Sequence, residues 1–508
     1  MAEMTIKELK ETSTTYKNNI NNWIFWGAAY DGDKDFIALT IEKHERESTK
    51  NYNQRVKEAY VFNFAAMIID LFNYYLTEKS PVRDMPSELV NDEQWKMFSK
   101  DCDLFGTNFE TYLNEIQKVA STFGSVGVLV DKPRKKSIGD AAVSKADEIN
   151  EGIYPYCATY TLPDILDWRI EKNESGRPVL GYLKLKNSDD TYTIWTLTNW
   201  EIWEIPTDEK LKTMSNAKPQ LVDSGANSLG EIPFVFMINV RDVKKPYQGK
   251  SDIKDIARVC GSIVRNCSHG DEVIKFAGFP IYLEPMRPAG EEDGDDKAIG
   301  VTAVSEYDPE SNAKPEWLES EVLDPITACI AWIDRKISAI YDMAHISGIH
   351  ATATSKEARS GVSLRYEFQQ LASILSKKSD NMNEAELKII YLYLKWQLME
   401  SLFKQINVHR PKDFSIDDLS QDLDNILKVL ERDTKRVARN MGVEYMKSAK
   451  KRMVKHTLPD ITETVRTEIF SEIDAMTEMD PLVQVEPSIL PSGETAPIEK
   501  EEPGEVKE

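Results

Sequence analysis

The apolar positions of the chain change period several times, and the changes divide it. Val56, Tyr60, Phe64, Ile68, Leu71 and Tyr75 recur at helical spacing, and Pro81 and Pro86 end that stretch. Residues 95–120 are helical again, with Phe98, Phe109, Leu113, Ile116 and Val119 on the apolar side. From Phe123 the pattern becomes that of strands, at 126–130, 154–161, 182–185, 192–195, 201–205 and 234–238. Residues 187–190 read as a turn, 137–152 as a charged exposed loop and 207–227 as polar and loop-rich. Residues 52–245 therefore predict an α+β domain. Ahead of it lies a polar lead-in whose aromatic patch, Trp23-Ile24-Phe25-Trp26, is expected to dock on the body or on a neighbouring subunit.

The second half is organised around two helical stretches. The first opens at Ser251, an N-cap type, with Asp252 and Asp255 in its first turn. Ile253, Ile256, Val259, Cys260, Ile263 and Cys267 form its stripe, and it stops near 278–280. The second opens on Asp324-Pro325 and carries Ile326, Ile330, Ile333, Ile337, Ile340 and Ala344. These steps alternate four and three, which predicts a narrow seam facing a partner helix. Between the two, Ile281-Tyr282-Leu283, 301–304 and Glu316-Trp317-Leu318 read as short strands around an acidic tip at 288–297. So small an insert cannot stand alone, so Ile281, Leu283 and Trp317 are expected to pack against other copies.

The second helix is followed by a loop of small and hydroxylated residues, 346–361, with glycines near both ends. Ile349, His350, Thr352, Thr354, Ser355, Lys356 and Arg359 are its candidate functional side chains. Residues 362–410 then contain neither glycine nor proline. Leu371, Leu375, Met382, Ile389, Ile390 and Tyr393 keep helical spacing there, with 379–381 the expected kink. A helix of about 40 residues would span roughly 60 Å. Helical segments are expected at 414–430, 434–456 and 461–476. Lys435, Arg436, Arg439, Lys447, Lys450, Lys451, Arg452 and Lys455 make the one strongly basic stretch. It reads either as a solvated helix face or as a contact for DNA or an acidic neighbour. From about 480 the chain is rich in Pro, Glu, Ser and Gly, the composition of a disordered tail.

Composition narrows the function classes. The 508 residues carry a net charge of −22, with 41% hydrophobic and 29% charged residues. That balance speaks against a tight, nonspecific nucleic-acid binder. It leaves open a conduit along which a duplex slides, because a channel that neutralised many phosphates would hold the DNA. Five cysteines without metal-site spacing suit reduced thiols. No apolar signal region opens the sequence, and the most apolar run, 61–76, is too polar to span a bilayer. There is no Gly-x-x-x-x-Gly-Lys-[Ser/Thr] loop, and His345 and His350 lack further ligands. No cofactor, metal or catalysis is expected.

Several segments, in this order, resemble the portal proteins of tailed bacteriophages. They are Phe123-Gly124-Ser125-Val126-Gly127, Tyr160-Thr161-Leu162-Pro163-Asp164 through Trp168-Arg169, Leu229-Gly230-Glu231-Ile232-Pro233, Gly249-Lys250-Ser251-Asp252-Ile253 and Ser360-Gly361-Val362-Ser363-Leu364. The resemblance covers about residues 20–465 and rests on order and spacing rather than on any single motif. It implies an α+β portal-like fold: an N-terminal arm (1–51), the first part of a wing (52–248), a first stem helix (249–278), a clip (279–323), a second stem helix (324–345), a tunnel loop (346–361), a long wing helix (362–410), a helical crown (411–479) and an acidic disordered tail (480–508). It also implies a homo-oligomeric ring, a dodecamer in the family, at one capsid vertex of the virion, assembled in the bacterial host cytoplasm. Double-stranded DNA would pass through it. The terminase large subunit, the head–tail adaptor, the major capsid protein and a scaffold would dock on it, and the terminase would supply the energy. Two other readings stay open. An adaptor or scaffold protein with a helical stalk would show no thick ring with an axial channel, and an unrecognised enzyme would show a pocket of convergent polar groups.

Overall fold

The computed structural model describes residues 4–133, 145–173, 175–206, 218–245, 247–278, 281–283, 316–318, 323–346, 361–412, 414, 447–448, 450–451, 453–454 and 463–475. It combines helices and antiparallel sheets in two units, Met1–Ser415 and Ile416–Glu508. In the first unit the helices are α1 (Ile6–Lys10), α2 (Thr14–Asp31), α3 (Lys34–Thr40), α4 (Thr49–Glu58), α5 (Phe64–Thr77), α6 (Ser87–Val90), α7 (Glu93–Lys100), α8 (Phe109–Phe123), α9 (Lys145–Asn150), α10 (Ile256–Gly278), α11 (Leu323–Met343) and α12 (Gly361–Trp396). The strands are β1 (Val82–Asp84), β2 (Ser125–Asp131), β3 (Tyr156–Tyr160), β4 (Ile165–Lys172), β5 (Pro178–Lys186), β6 (Thr191–Thr196), β7 (Asn199–Glu204), β8 (Gln220–Ala226), β9 (Phe234–Ile238), β10 (Ile281–Leu283), β11 (Glu316–Leu318) and β12 (Asn407–His409). In the second unit, α13 (Glu463–Ala475) is described.

Local chemistry explains where the helices start and stop. The stripe from Val56 to Tyr75 is two helices, because Asn63 caps α5 by accepting from the Ala66 amide. The stretch from 95 to 120 is likewise divided. Asn108 caps α8, and a turn with Leu104 and Gly106 at positive φ separates it from α7. Residues 251–255 form turns, so α10 begins at Ile256 rather than at Ser251. The long helix α12 passes through 379–381 as one element but ends at Trp396 instead of Arg410. Leu398, at φ 58, turns the chain there into a short 3-10 turn and then β12. The polar segment 207–227 contains a strand, β8, which pairs antiparallel with β7.

β4 to β8 form a five-stranded antiparallel meander, and β3-β2-β9 form a second sheet with β2 central. Trp195, Trp200, Leu183, Phe234 and Phe236 pack between the two sheets, with Trp23 of α2 among them. The aromatic patch of the N-terminal segment thus docks on the body. A second core joins α7, α8, β2 and β9 to the last part of α12. There the Tyr393 ring lies 4.7 Å from Phe98 and 5.0 Å from Trp95, centre to centre. A third joins α3, α5, the start of α10, the end of α11 and the first described turns of α12 through Phe36, Ile68, Ile263, Ile340 and Leu371. The long helix therefore crosses two cores in succession. Burial of this many apolar side chains is what holds a helix of 36 residues in one place.

Candidate functional site

α10 and α11 pack side by side in opposite directions. Lys336 Nζ donates to Ser262 Oγ at 2.7 Å, and Cys329 Sγ sits 3.6 Å from the Asn266 carbonyl, so higher numbers on α10 meet lower numbers on α11. Burial lowers the Lys336 pKa below that of an ordinary lysine, and the nearby Arg265 adds to this. Burial likewise pushes the Cys260 thiol up to about 12, so it is a core filler and no nucleophile. On α11 the stripe predicted to face a partner divides along its length. Ile340 is fully buried, and Ile333 and Ile337 pack on the same core. Ile326 is half-buried, whereas Ile330 is 55% exposed. Trp332, on another face of α11 and with the Lys336 ammonium over its ring, is about half exposed, as is Ile274 on α10. The end of the pair nearest the 279–322 insert thus leaves apolar side chains about half exposed among the described residues.

The other end is fixed by a buried polar node. Lys378 lies on α12 between the two cores that this helix crosses, and it is completely buried. Its Nζ donates to a carboxylate oxygen of Asp252, to Asn239 Oδ1 at 2.7 Å and to Ser121 Oγ at 3.4 Å, and it lies over the Phe72 ring. Asn239 donates to the other Asp252 oxygen at 2.9 Å and to the Lys250 carbonyl at 3.0 Å. Asn381 donates to the Asn239 carbonyl at 2.9 Å, and the Asp252 amide donates to the Ser121 carbonyl at 3.0 Å. Burial lowers the Lys378 pKa, and Asp252 opposes that shift. One ammonium thereby ties together α8, the end of β9, the turns before α10 and the middle of α12.

Backbone geometry requires glycine beside the node. Gly124 has φ 93, and a Cβ built on it would lie 2.3 Å from the Gly249 carbonyl oxygen; one on Gly249 would lie 2.0 Å from that of Gly124. No other residue fits either position. Two segments that carry the portal resemblance, around Gly124 and around Gly249, therefore meet back to back.

Two further buried ion clusters brace this frame. Glu386 of α12 is fully buried and accepts from both Arg83 and Arg410, which tie in β1 and the segment after β12. Arg55 of α4 donates to Glu47, to the Glu42 carbonyl at 2.8 Å and to Ser268 Oγ of α10 at 3.4 Å. The Arg55 guanidinium holds the Glu47 carboxyl down at about 2. Neither cluster has the open coordination of a catalytic or metal site. Both act as clamps, and their charges are satisfied internally.

The remaining predicted residues are placed as follows. Ile349, His350, Thr352, Thr354, Ser355, Lys356 and Arg359 lie outside the described residues, as do Lys435, Arg436, Arg439, Arg452 and Lys455 and the tail from 480. Ile281, Leu283 and Trp317 fall on β10 and β11, whose backbones pair antiparallel with Ile281 opposite Leu318 and Tyr282 opposite Trp317. Of the basic stretch, Lys447, Lys450 and Lys451 are described. Lys451 pairs with Asp474 of α13 at 2.6 Å and lies over the Phe470 ring, so its charge is neutralised within its own unit. Sequence reasoning missed the Lys378 node, although the signal was present. Lys378 and Glu386 fall in phase with Leu371, Leu375, Met382, Ile389 and Tyr393, and a charge in phase with a core stripe marks a buried charge.

No protein-family profile matches the chain, and no curated protein matches it. Among solved structures it is similar to a chain of the virion of a native gene transfer agent particle, at 8% identity and a TM-score of 0.38, over 74% of this chain and 86% of that one. It is also similar to a chain from the neck of an empty gene transfer agent particle computed with C6 symmetry, at 9% identity and a TM-score of 0.38, over 75% of this chain and 88% of that one.

Proposed function

We propose that this chain is a portal protein: a ring at one capsid vertex of a tailed bacteriophage or phage-like particle, through which double-stranded DNA is packaged and ejected. One observation carries the reading. Two antiparallel helices are rooted by a buried lysine on an α+β body, with a small strand pair inserted between them and a long helix after them, while their insert-proximal end leaves Ile330, Trp332 and Ile274 exposed. A monomer has no use for exposed apolar side chains at the end of a helix pair, whereas copies arranged about an axis cover them.

In this reading α10 and α11 are the stem that surrounds the channel, and the 279–322 insert is the clip offered to the terminase large subunit and later to the head–tail adaptor. In the same reading the loop 346–361, with Thr352, Thr354 and Ser355 flanked by Lys356 and Arg359, has the role of tunnel loop beside the duplex. Hydroxyls give exchangeable hydrogen bonds to phosphates and read no sequence, which suits a moving duplex. The net charge of −22 keeps phosphates from being held. The chain catalyses nothing and takes no cofactor; a separate ATPase supplies the energy. Negative-stain imaging of the purified protein in reducing buffer tests the proposal. A thick ring with an open axial channel is expected, and compact particles with no channel would exclude it.

A further inference from the structure

At the β3 side of the three-stranded sheet, the turn 101–108 holds the Phe105 side chain 91% exposed. The turn is stiff. Asp101 accepts from the Gly106 amide at 2.9 Å, and Asp103 accepts from the amides of Phe105 at 2.9 Å and Thr107 at 3.2 Å. The Cys102 amide donates to the Thr107 carbonyl at 2.9 Å, and the Cys157 amide of β3 donates to the Cys102 carbonyl at 2.6 Å. Leu104 is held at φ 66, a conformation that a branched side chain rarely adopts. A strained backbone, locked by this many bonds, keeps an aromatic ring in water. Such strain persists only where the surroundings enforce it.

At the opposite edge of the same sheet, beside β9, lies a groove of about 890 Å³ between the β4–β5 hairpin and α12. Ile170, Val179, Leu180, Phe236 and Tyr391 form its apolar walls. Its charged lining is mixed: Arg241 pairs with Glu384, Glu231 pairs with Lys395, and Lys245, Lys388 and the carboxylate of Asp242 have no ion pair among the described residues.

We propose that the Phe105 turn of one copy seats in the β9-side groove of the next copy. Three observations select this occupant. The knob is apolar and so are the walls. The turn brings two carboxylates, Asp101 and Asp103, to a groove whose charges outside ion pairs, Lys245 and Lys388 against Asp242, leave an excess of one cation. Knob and groove flank opposite edges of one sheet, so each copy can offer one feature to each neighbour, which is the head-to-tail type of contact that a ring uses. The inference rests on the ring reading and names a contact for it.

Two variants and one cross-link test it. Phe105→Ala removes the anchor and leaves the melting temperature of the subunit unchanged, since the side chain packs on nothing there. It should raise the protein concentration needed for half-maximal ring formation, read by mass photometry, about tenfold or more. Lys388→Glu should act in the same direction. Phe105→Cys with Val179→Cys, oxidised by copper–phenanthroline and oxygen, should give a ladder of disulfide-linked chains that neither single variant gives. If wild-type protein forms rings while Phe105→Ala assembles at the same concentration and no ladder appears, the knob-and-groove contact is overturned and the ring reading stands. If wild-type protein forms no rings, the ring reading falls, and the cross-link at high concentration still decides: linked dimers support the contact, and their absence overturns it.

Discussion

The middle of α12 and the insert-proximal end of the α10–α11 pair are both helical and both carry apolar stripes, yet they are finished to different degrees. From Leu371 to Leu394, α12 buries nearly every residue of its inner face, including Lys378 and Glu386, and each of those two charges has partners from other elements. On α11 the same kind of stripe is buried at Ile340, half-buried at Ile333 and open at Ile330. On the ring reading proposed above, the difference separates what a chain completes alone from what it leaves for assembly. A buried charge network contributes little net stability, but removing one partner is costly because it leaves the other charge buried and unpaired. An open stripe costs little in the isolated chain and gains when a neighbour arrives.

The largest effect is expected at the closed end. Lys378→Ala leaves Asp252 buried without its cation and should cost about 3–5 kcal/mol in urea unfolding. Lys378→Met combined with Asp252→Asn removes both charges and should cost less. Ile340→Asp buries an unpaired charge and should be as damaging as Lys378→Ala. Variants at the open end should behave oppositely. Ile330→Asp should change the stability of the subunit by no more than about 0.5 kcal/mol, as at other surface positions, and yet lower ring yield. Equal damage to folding from Ile330→Asp and Ile340→Asp would erase the distinction between the two ends.

The smallest effect concerns the Arg55–Glu47 clamp on α10. The Glu47 carboxyl sits at about 2 in the fold against an ordinary 4.5. Because its folded-state value is depressed, its contribution is complete above about 4.5 and is lost as pH falls toward 2. Glu47→Gln should therefore destabilise the protein at neutral pH and flatten the pH dependence of unfolding between those values. An acid-unfolding profile with the same slope as the wild type would remove this clamp from the account.

Much of the frame was legible in the sequence because period is a local property. Six of the eight strands of the two main sheets, the helix pair and the long helix follow from apolar spacing alone. β8 was not legible, since Gln220–Ala226 is mostly exposed and has little apolar pattern. The helix breaks at 59–63 and 101–108 were hidden because the stripes on either side remain nearly in phase. The node was legible only in part. Lys378 stands in register with a core stripe, but its partners Ser121, Asn239 and Asp252 lie far away in the chain, and no spacing links them. The back-to-back glycines, Gly124 and Gly249, lie far apart in the chain, and nothing in either local sequence announces their contact.

The ring reading proposed above requires the root of the helix pair to be complete within one chain and its far end to be completed by neighbours. Hydrogen–deuterium exchange, measured at concentrations below and above assembly, tests this most directly. Peptides covering 375–394 should be strongly protected in both states, while peptides covering 268–276 and 323–333 should exchange fast in the subunit and gain protection on assembly. Stem peptides whose exchange is unchanged in particles that imaging shows to be assembled, or that are already as protected as 375–394 in the isolated subunit, would contradict it.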